Sequence, residues 1–122
     1  SEEEFLKKRM EYKEAIKLYW ILKSRMEAEF TSDPSYKQYF TNNYSAFSSG
    51  KNFAELHVGR DRLTLNIKDS GETSSLGGRL PDGSYNWPLM FHFSILNENQ
   101  MDEAMRLIRS AYTFVKEKNE NK

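Results

Sequence analysis

The chain has 122 residues, with 18 basic and 18 acidic side chains and no cysteine. That length fits one domain, and 2 Trp, 7 Tyr and 8 Phe supply enough aromatic surface for a core, which excludes wholesale disorder. The missing cysteine excludes disulfide staples, thiolate metal sites and thiol catalysis. Zero net charge argues against a chain devoted to nucleic acid or to an anionic membrane.

No run of about 18 apolar residues exists, so no membrane span is expected. The opening SEEEFLKKRM has no apolar stretch of the kind a secretory signal carries, which points to a cytoplasmic location. Without such a signal the sequon Asn43-Tyr44-Ser45 carries little meaning. The whole of 1–122 reads as a single domain. Residues 1–10 and 117–122 are charge-rich and read as linker-like ends of a piece of a longer protein.

Residues 3–30 predict one long helix. They hold no Gly or Pro, and Tyr12, Ile16, Tyr19, Met26 and Phe30 recur near helical spacing. Residues 1–30 carry seven acidic and seven basic side chains, mixed as on a solvated face. Thr31-Ser32-Asp33-Pro34 reads as a stop and restart, with Ser32 or Asp33 capping a short helix through Tyr36, Tyr39 and Phe40. The period then drops to two. Tyr44–Phe47 is a strand candidate, and Ser48-Ser49-Gly50 is a turn. Asn52–Val58 is a second strand, with Ala54, Leu56 and Val58 on one face and Phe53, Glu55 and His57 on the other. Gly59-Arg60-Asp61 turns the chain into Arg62–Lys68, whose Leu63, Leu65 and Ile67 point inward and Thr64, Asn66 and Lys68 outward.

Residues 69–86 hold Gly71, Gly77, Gly78, Pro81 and Gly83 and predict a long loop, with a short extended piece near Leu80. Leu89–Ile95 alternates as a last strand. Asn97 or Asn99 then caps a final helix on Met101, Ala104, Met105, Ile108, Ala111, Tyr112 and Val115, with fraying from Lys116. The expected order α-α-β-β-β-β-α describes an α+β domain: a small antiparallel sheet of three to four strands, packed by a long N-terminal helix and a C-terminal helix.

Few constellations carry chemistry. His57 and His92 fall on the polar face of the sheet, with Glu55 and Lys68 near, but they lack the spacing of a metal site. No GxSxG elbow is present, and Gly77-Gly78-Arg79 lacks the lysine of a phosphate loop. The nuclease-type carboxylate–lysine pair Glu120-Asn121-Lys122 falls in the tail and not on a predicted strand. Catalytic residues, metals and cofactors are therefore not expected. The strongest binding candidate is a basic and aromatic set around the hairpin: Lys51, Phe53, Arg60, Arg62, Lys68, Arg79 and Trp87. Residues 44–80 carry five basic and four acidic side chains, a slight bias for a phosphate-binding footprint.

From the first strand on, Gly50-Lys51-Asn52-Phe53-Ala54-Glu55, Leu63-Thr64-Leu65 and Leu107-Ile108-Arg109-Ser110-Ala111-Tyr112 stand in an order that resembles an uncharacterised prokaryotic C-terminal accessory domain family. Members of that family carry a loose "predicted transport protein" label or sit on restriction- and nuclease-like proteins. The likeness covers roughly 44–115, and Tyr85-Asn86-Trp87-Pro88 lacks the His and Gly that the family shows around its Trp. The resemblance implies a non-catalytic accessory or binding domain of a larger bacterial protein concerned with DNA processing, with the other domains of that protein and nucleic acid as partners. Two alternatives stand beside it. One is a protein-interaction or dimerisation module using the first helix, monomeric or weakly dimeric. The other is a small-ligand sensor or enzyme with His57 and His92 in a pocket.

Overall fold

A computed structural model describes residues 1–80 and 90–120. The elements run α1 (Glu2–Lys7), α2 (Lys13–Phe30), β1 (Tyr36–Phe40), β2 (Ser45–Ser49), β3 (Lys51–Val58), β4 (Leu63–Lys68), β5 (Gly77–Arg79), β6 (Met90–Ile95) and, after a 3-10 turn at Glu98–Gln100, α3 (Met101–Glu120). The class is α+β, as expected, but the sheet is larger. Among the described residues six strands form one antiparallel sheet in the order β1-β2-β3-β4-β6-β5.

The β3–β4 hairpin follows its sequence pattern. Val58 pairs with Leu63 across a turn closed by the Gly59 amide donating to the Arg62 carbonyl at 2.9 Å. Leu63, Leu65 and Ile67 are buried as their alternation requires. They meet α3, whose Met101, Ala104, Met105, Leu107, Ile108, Ala111 and Val115 are all buried. α2 and α3 lie across one face of β3 and β4, and the core forms in that layer. Asn97 accepts from the Asn99 amide and forms a capping box with Gln100 at the start of this last helical segment.

The expected single helix over 3–30 is two helices. The turn between them closes with the Arg9 amide on the Leu6 carbonyl and the Tyr12 amide on the Arg9 carbonyl. In one straight helix Glu2 and Tyr19 would stand about 25 Å apart. Folded back, Tyr19 Oη donates to Glu2 Oε2 at 2.6 Å, and Lys23 pairs with the same carboxylate. The fold-back also buries Phe5 against Phe40, ring centroids 5.4 Å apart, with the Arg9 guanidinium 3.9 Å over the Phe5 ring. Residues 2–7 are thus packed structure and not a linker-like end, and α3 runs past Lys116 to Glu120.

Tyr36–Phe40 is a strand and not the expected short helix. Pro34 sits in a tight turn, where the Tyr36 amide reaches the Asp33 carbonyl and the Ser35 amide reaches Asp33 Oδ1 at 2.9 Å. Gln38 faces the helices and donates to Tyr19 Oη and Ser45 Oγ, both at 2.9 Å, while Tyr39 turns outward. β2 extends through Ser49, leaving Gly50 alone to turn the chain at φ 77°. β5 falls inside the stretch expected as loop, close to the extended piece expected near Leu80. Gly77 there is required by close approach, since a Cβ would stand 1.9 Å from the His92 carbonyl oxygen. The 81–86 portion of the expected loop lies outside the described residues.

Candidate functional site

Helices cover one face of the sheet, and the opposite face carries polar side chains where an apolar core face would be expected. The register lines up one residue from every strand. Tyr39 pairs with Ala46, Ala46 with Glu55, Glu55 with Asn66, Asn66 with His92, and His92 with Gly78. A second row runs beside it, with His57 opposite Thr64 and Thr64 opposite Ser94. The Tyr44 ring lies against His57 with centroids 5.5 Å apart.

The middle of this face is largely withdrawn from water. Asn66 is 2% and Glu55 7% exposed. The half of the face built on β4 and β6 satisfies itself. His92 Nδ1–H donates to Asn66 Oδ1 at 2.6 Å, and the Thr64 and Ser94 hydroxyls meet at 3.2 Å. The half built on β3 does not. Glu55 Oε2 and His57 Nε2 are buried with no hydrogen-bond partner among the described residues. Tyr36 Oη is likewise unpartnered, but it lies among Phe30, Phe47 and Phe53 on the helix side. A buried polar atom without a partner costs about 1–3 kcal/mol, so two on adjacent same-face positions mark a place where stability is given up.

Burial pushes the Glu55 carboxyl above its ordinary value, against the pull of Lys68. Burial also lowers the His57 imidazole, helped by the positive charges of His92 and Arg9. Near neutral pH His57 is therefore an uncharged ring able to accept a hydrogen bond.

The structure scatters the basic and aromatic set read from the sequence. Lys51 sits at the β2–β3 turn, while Arg60 and Arg62 sit at the β3–β4 turn. These are opposite ends of β3, roughly 23 Å apart at strand rise. Phe53 is fully buried and does not share the outer face with Glu55 and His57. A bulge causes this: Phe47 pairs with Ala54 but Ser48 with Asn52, so Phe53 is the extra residue and swings into the helix layer. There its ring meets Phe30 and Tyr112 edge-on at 5.7 and 5.4 Å. Trp87 lies outside the described residues.

The cations are largely engaged already. Arg62 pairs with Asp61 at 3.0 Å, and Arg79 with the buried Asp69. Lys68 sits at the β4 position opposite Met90, on the same face as Asn66. An open groove of about 370 Å³ along α3 presents Arg106 and Arg109, but the first is held by Glu72 and Glu103 and the second by Glu29. Hydrogen bonds from Arg106 and Ser74 bring the Glu103 carboxyl down to about 2.

His57 and His92 share the polar face but are separated by β4, and His92 is committed to Asn66. No group of three or more His, Cys, Asp or Glu among the described residues could hold a metal ion. No helix among them is long and apolar enough to cross a membrane. Compared with known proteins, the chain matches no family model, no curated protein and no solved structure.

Proposed function

We propose that the chain is a non-catalytic binding module whose recognition surface is the polar face of the sheet, centred on Glu55 and His57. One observation carries this reading: two buried polar atoms from alternate residues of β3 on that face lack partners, while the pairs beside them are hydrogen-bonded. Proteins retain unsatisfied buried groups where a ligand completes them more readily than where stability alone is at stake. The reading keeps the binding role expected of an accessory domain and moves it away from the basic set. Arg62 and Arg79 are paired within the chain, and Lys51 lies far from Arg60 and Arg62, which weighs against a continuous phosphate track.

The test is a titration of isotope-labelled chain with short single- and double-stranded oligonucleotides at low salt and with a panel of small polar ligands. Amide shifts confined to β3, β4 and β6 support the polar face. Salt-sensitive shifts at Lys51, Arg60 and Lys68 on adding oligonucleotide would replace this reading with nucleic-acid contact.

A second reading has one observation in its favour. A carboxyl raised by burial two residues from an imidazole lowered by burial is also the pattern of an acid–base pair. Turnover of a ligand found in the same panel, lost in Glu55→Gln, would favour it over binding alone.

A further inference from the structure

The polar face of the sheet also defines what would fit it. Glu55 and His57 are alternate residues of β3, so their side chains leave the same face with Cα atoms about 7 Å apart. The unpartnered atoms are a carboxylate oxygen and a ring nitrogen. An ionised carboxylate oxygen accepts, and so does the Nε2 of a neutral imidazole whose proton sits on Nδ1. His92 Nδ1–H is committed to Asn66, and one of the Thr64 and Ser94 hydroxyl protons is used between the two. A group that completes both atoms of the pair at once brings two donors of its own, held apart by a short rigid spacer.

We propose that Glu55 and His57 form a guanidinium-binding pair, with the Tyr44 ring as its aromatic wall. The inference rests on the polar face being the recognition surface. A guanidinium is planar and carries its N–H donors in a fixed fork, which lets one group reach two acceptors with bonds of about 2.9 Å. An ammonium is a compact point charge without that fork. The Tyr44 ring lies tilted at 43° against the His57 ring with centroids 5.5 Å apart, and a cation seated on its face would lie within about 6 Å of its centroid. The positive charge of the ligand would also favour the ionised form of Glu55, whose carboxyl burial pushes above its ordinary value and whose Oε2 has no hydrogen-bond partner. Lys68, His92 and Arg9 are the charged or titratable groups that act on the pair, and none is hydrogen-bonded to either unpartnered atom. Both atoms are closed off from water.

The experiment titrates the labelled chain with N-acetyl-arginine amide, its uncharged citrulline counterpart, agmatine and a short arginine-containing peptide. The expected result is saturable shifts at Tyr44, Glu55 and His57 with the guanidinium compounds. Citrulline should bind at least tenfold more weakly, and so should arginine amide to Glu55→Gln. Glu55→Gln preserves shape, and its fold is checked by an unchanged spectrum over α2 and α3. His57→Phe provides an independent variant that keeps a ring and removes the acceptor. Tighter binding of the peptide than of agmatine assigns the guanidinium to a polypeptide partner, and the reverse assigns it to a small molecule. Absence of saturable shifts with every guanidinium compound, or equal binding by Glu55→Gln, overturns the proposal. If another chemistry then shifts the same residues, the face survives as a site and only the guanidinium falls.

Discussion

Tyr112 Oη donates to Asp33 Oδ2 at 2.6 Å, joining the middle of α3 to the turn between α2 and β1 across 79 residues of chain. The same carboxylate accepts from Ser49 Oγ at 2.6 Å, faces Lys116 Nζ at 3.3 Å, and through Oδ1 takes the Ser35 amide. Asp33 is thus the point where helix, turn and β2 are held in register. Bonds from Ser49, Tyr112 and the Ser35 amide hold its carboxyl far below the usual carboxylate range.

Asp33→Asn is expected to cost about 2 kcal/mol, the scale of hydrogen bonds to a charged acceptor. The pH dependence has a definite sign. A depressed native value gives stability that is present above the ordinary Asp value of about 3.9 and is lost as pH falls through the native one. Urea denaturation at pH 7 and pH 3 should show the variant gap shrinking at pH 3. A gap that persists unchanged would contradict the assignment.

Glu55 gives the opposite sign. Its raised native value means that its stability contribution is complete below the ordinary Glu value of about 4.3 and is lost as pH rises through the native one. Glu55→Gln escapes that loss. Thermal melts should show the variant gaining on the parent between pH 4.5 and pH 8, whereas a pH-independent difference would show that the carboxyl ionises without penalty.

Gly77→Ala places a Cβ against the β6 backbone, where no side-chain rotation relieves the clash. The expected outcome is local: β5 separates from β6, and the β6 amides that face it exchange faster. The β3 and β4 amides should keep their protection. Hydrogen exchange read residue by residue checks both halves of the statement.

Phe5→Ala removes the side chain that seats α1 on Phe40. A fully buried Phe in a rigid core costs about 3–5 kcal/mol when truncated. Here the six-residue helix can undock instead of leaving a cavity, so the loss should fall below about 3 kcal/mol and appear as faster exchange over residues 2–12.

Where local pattern and tertiary demand coincide, the fold could be read directly. The alternation of Leu63, Leu65 and Ile67 and the helical spacing through Met101, Ala104, Met105 and Ile108 each have one solution. β1 was hidden because Tyr36, Tyr39 and Phe40 stand at helical spacing after a Pro. Its inward-facing Gln38 looks polar until Tyr19 and Ser45 are seen to receive it. The break after Lys7 carries no Gly or Pro and arises from what Phe5 and Glu2 find once the chain folds back. Period two puts Phe53 on the wrong face because a bulge shifts the alternation by one, and the pairing that creates it belongs to β2. The shared face of Glu55 and His57 followed from period two alone. That both would be left without partners could not, because Asn66 and His92 satisfy each other only through the β4–β6 register.

The strand order has a kinetic consequence. From β1 to β4 each strand lies beside its predecessor, so a nascent chain can extend the sheet one hairpin at a time with short loop closures. β5 breaks that sequence. It leaves the ribosome before β6, yet among the described residues its neighbour in the sheet is β6, which must itself first settle against β4. The outermost edge is therefore the last to be laid down, and during synthesis the exposed rim of β4 waits for a strand still to come.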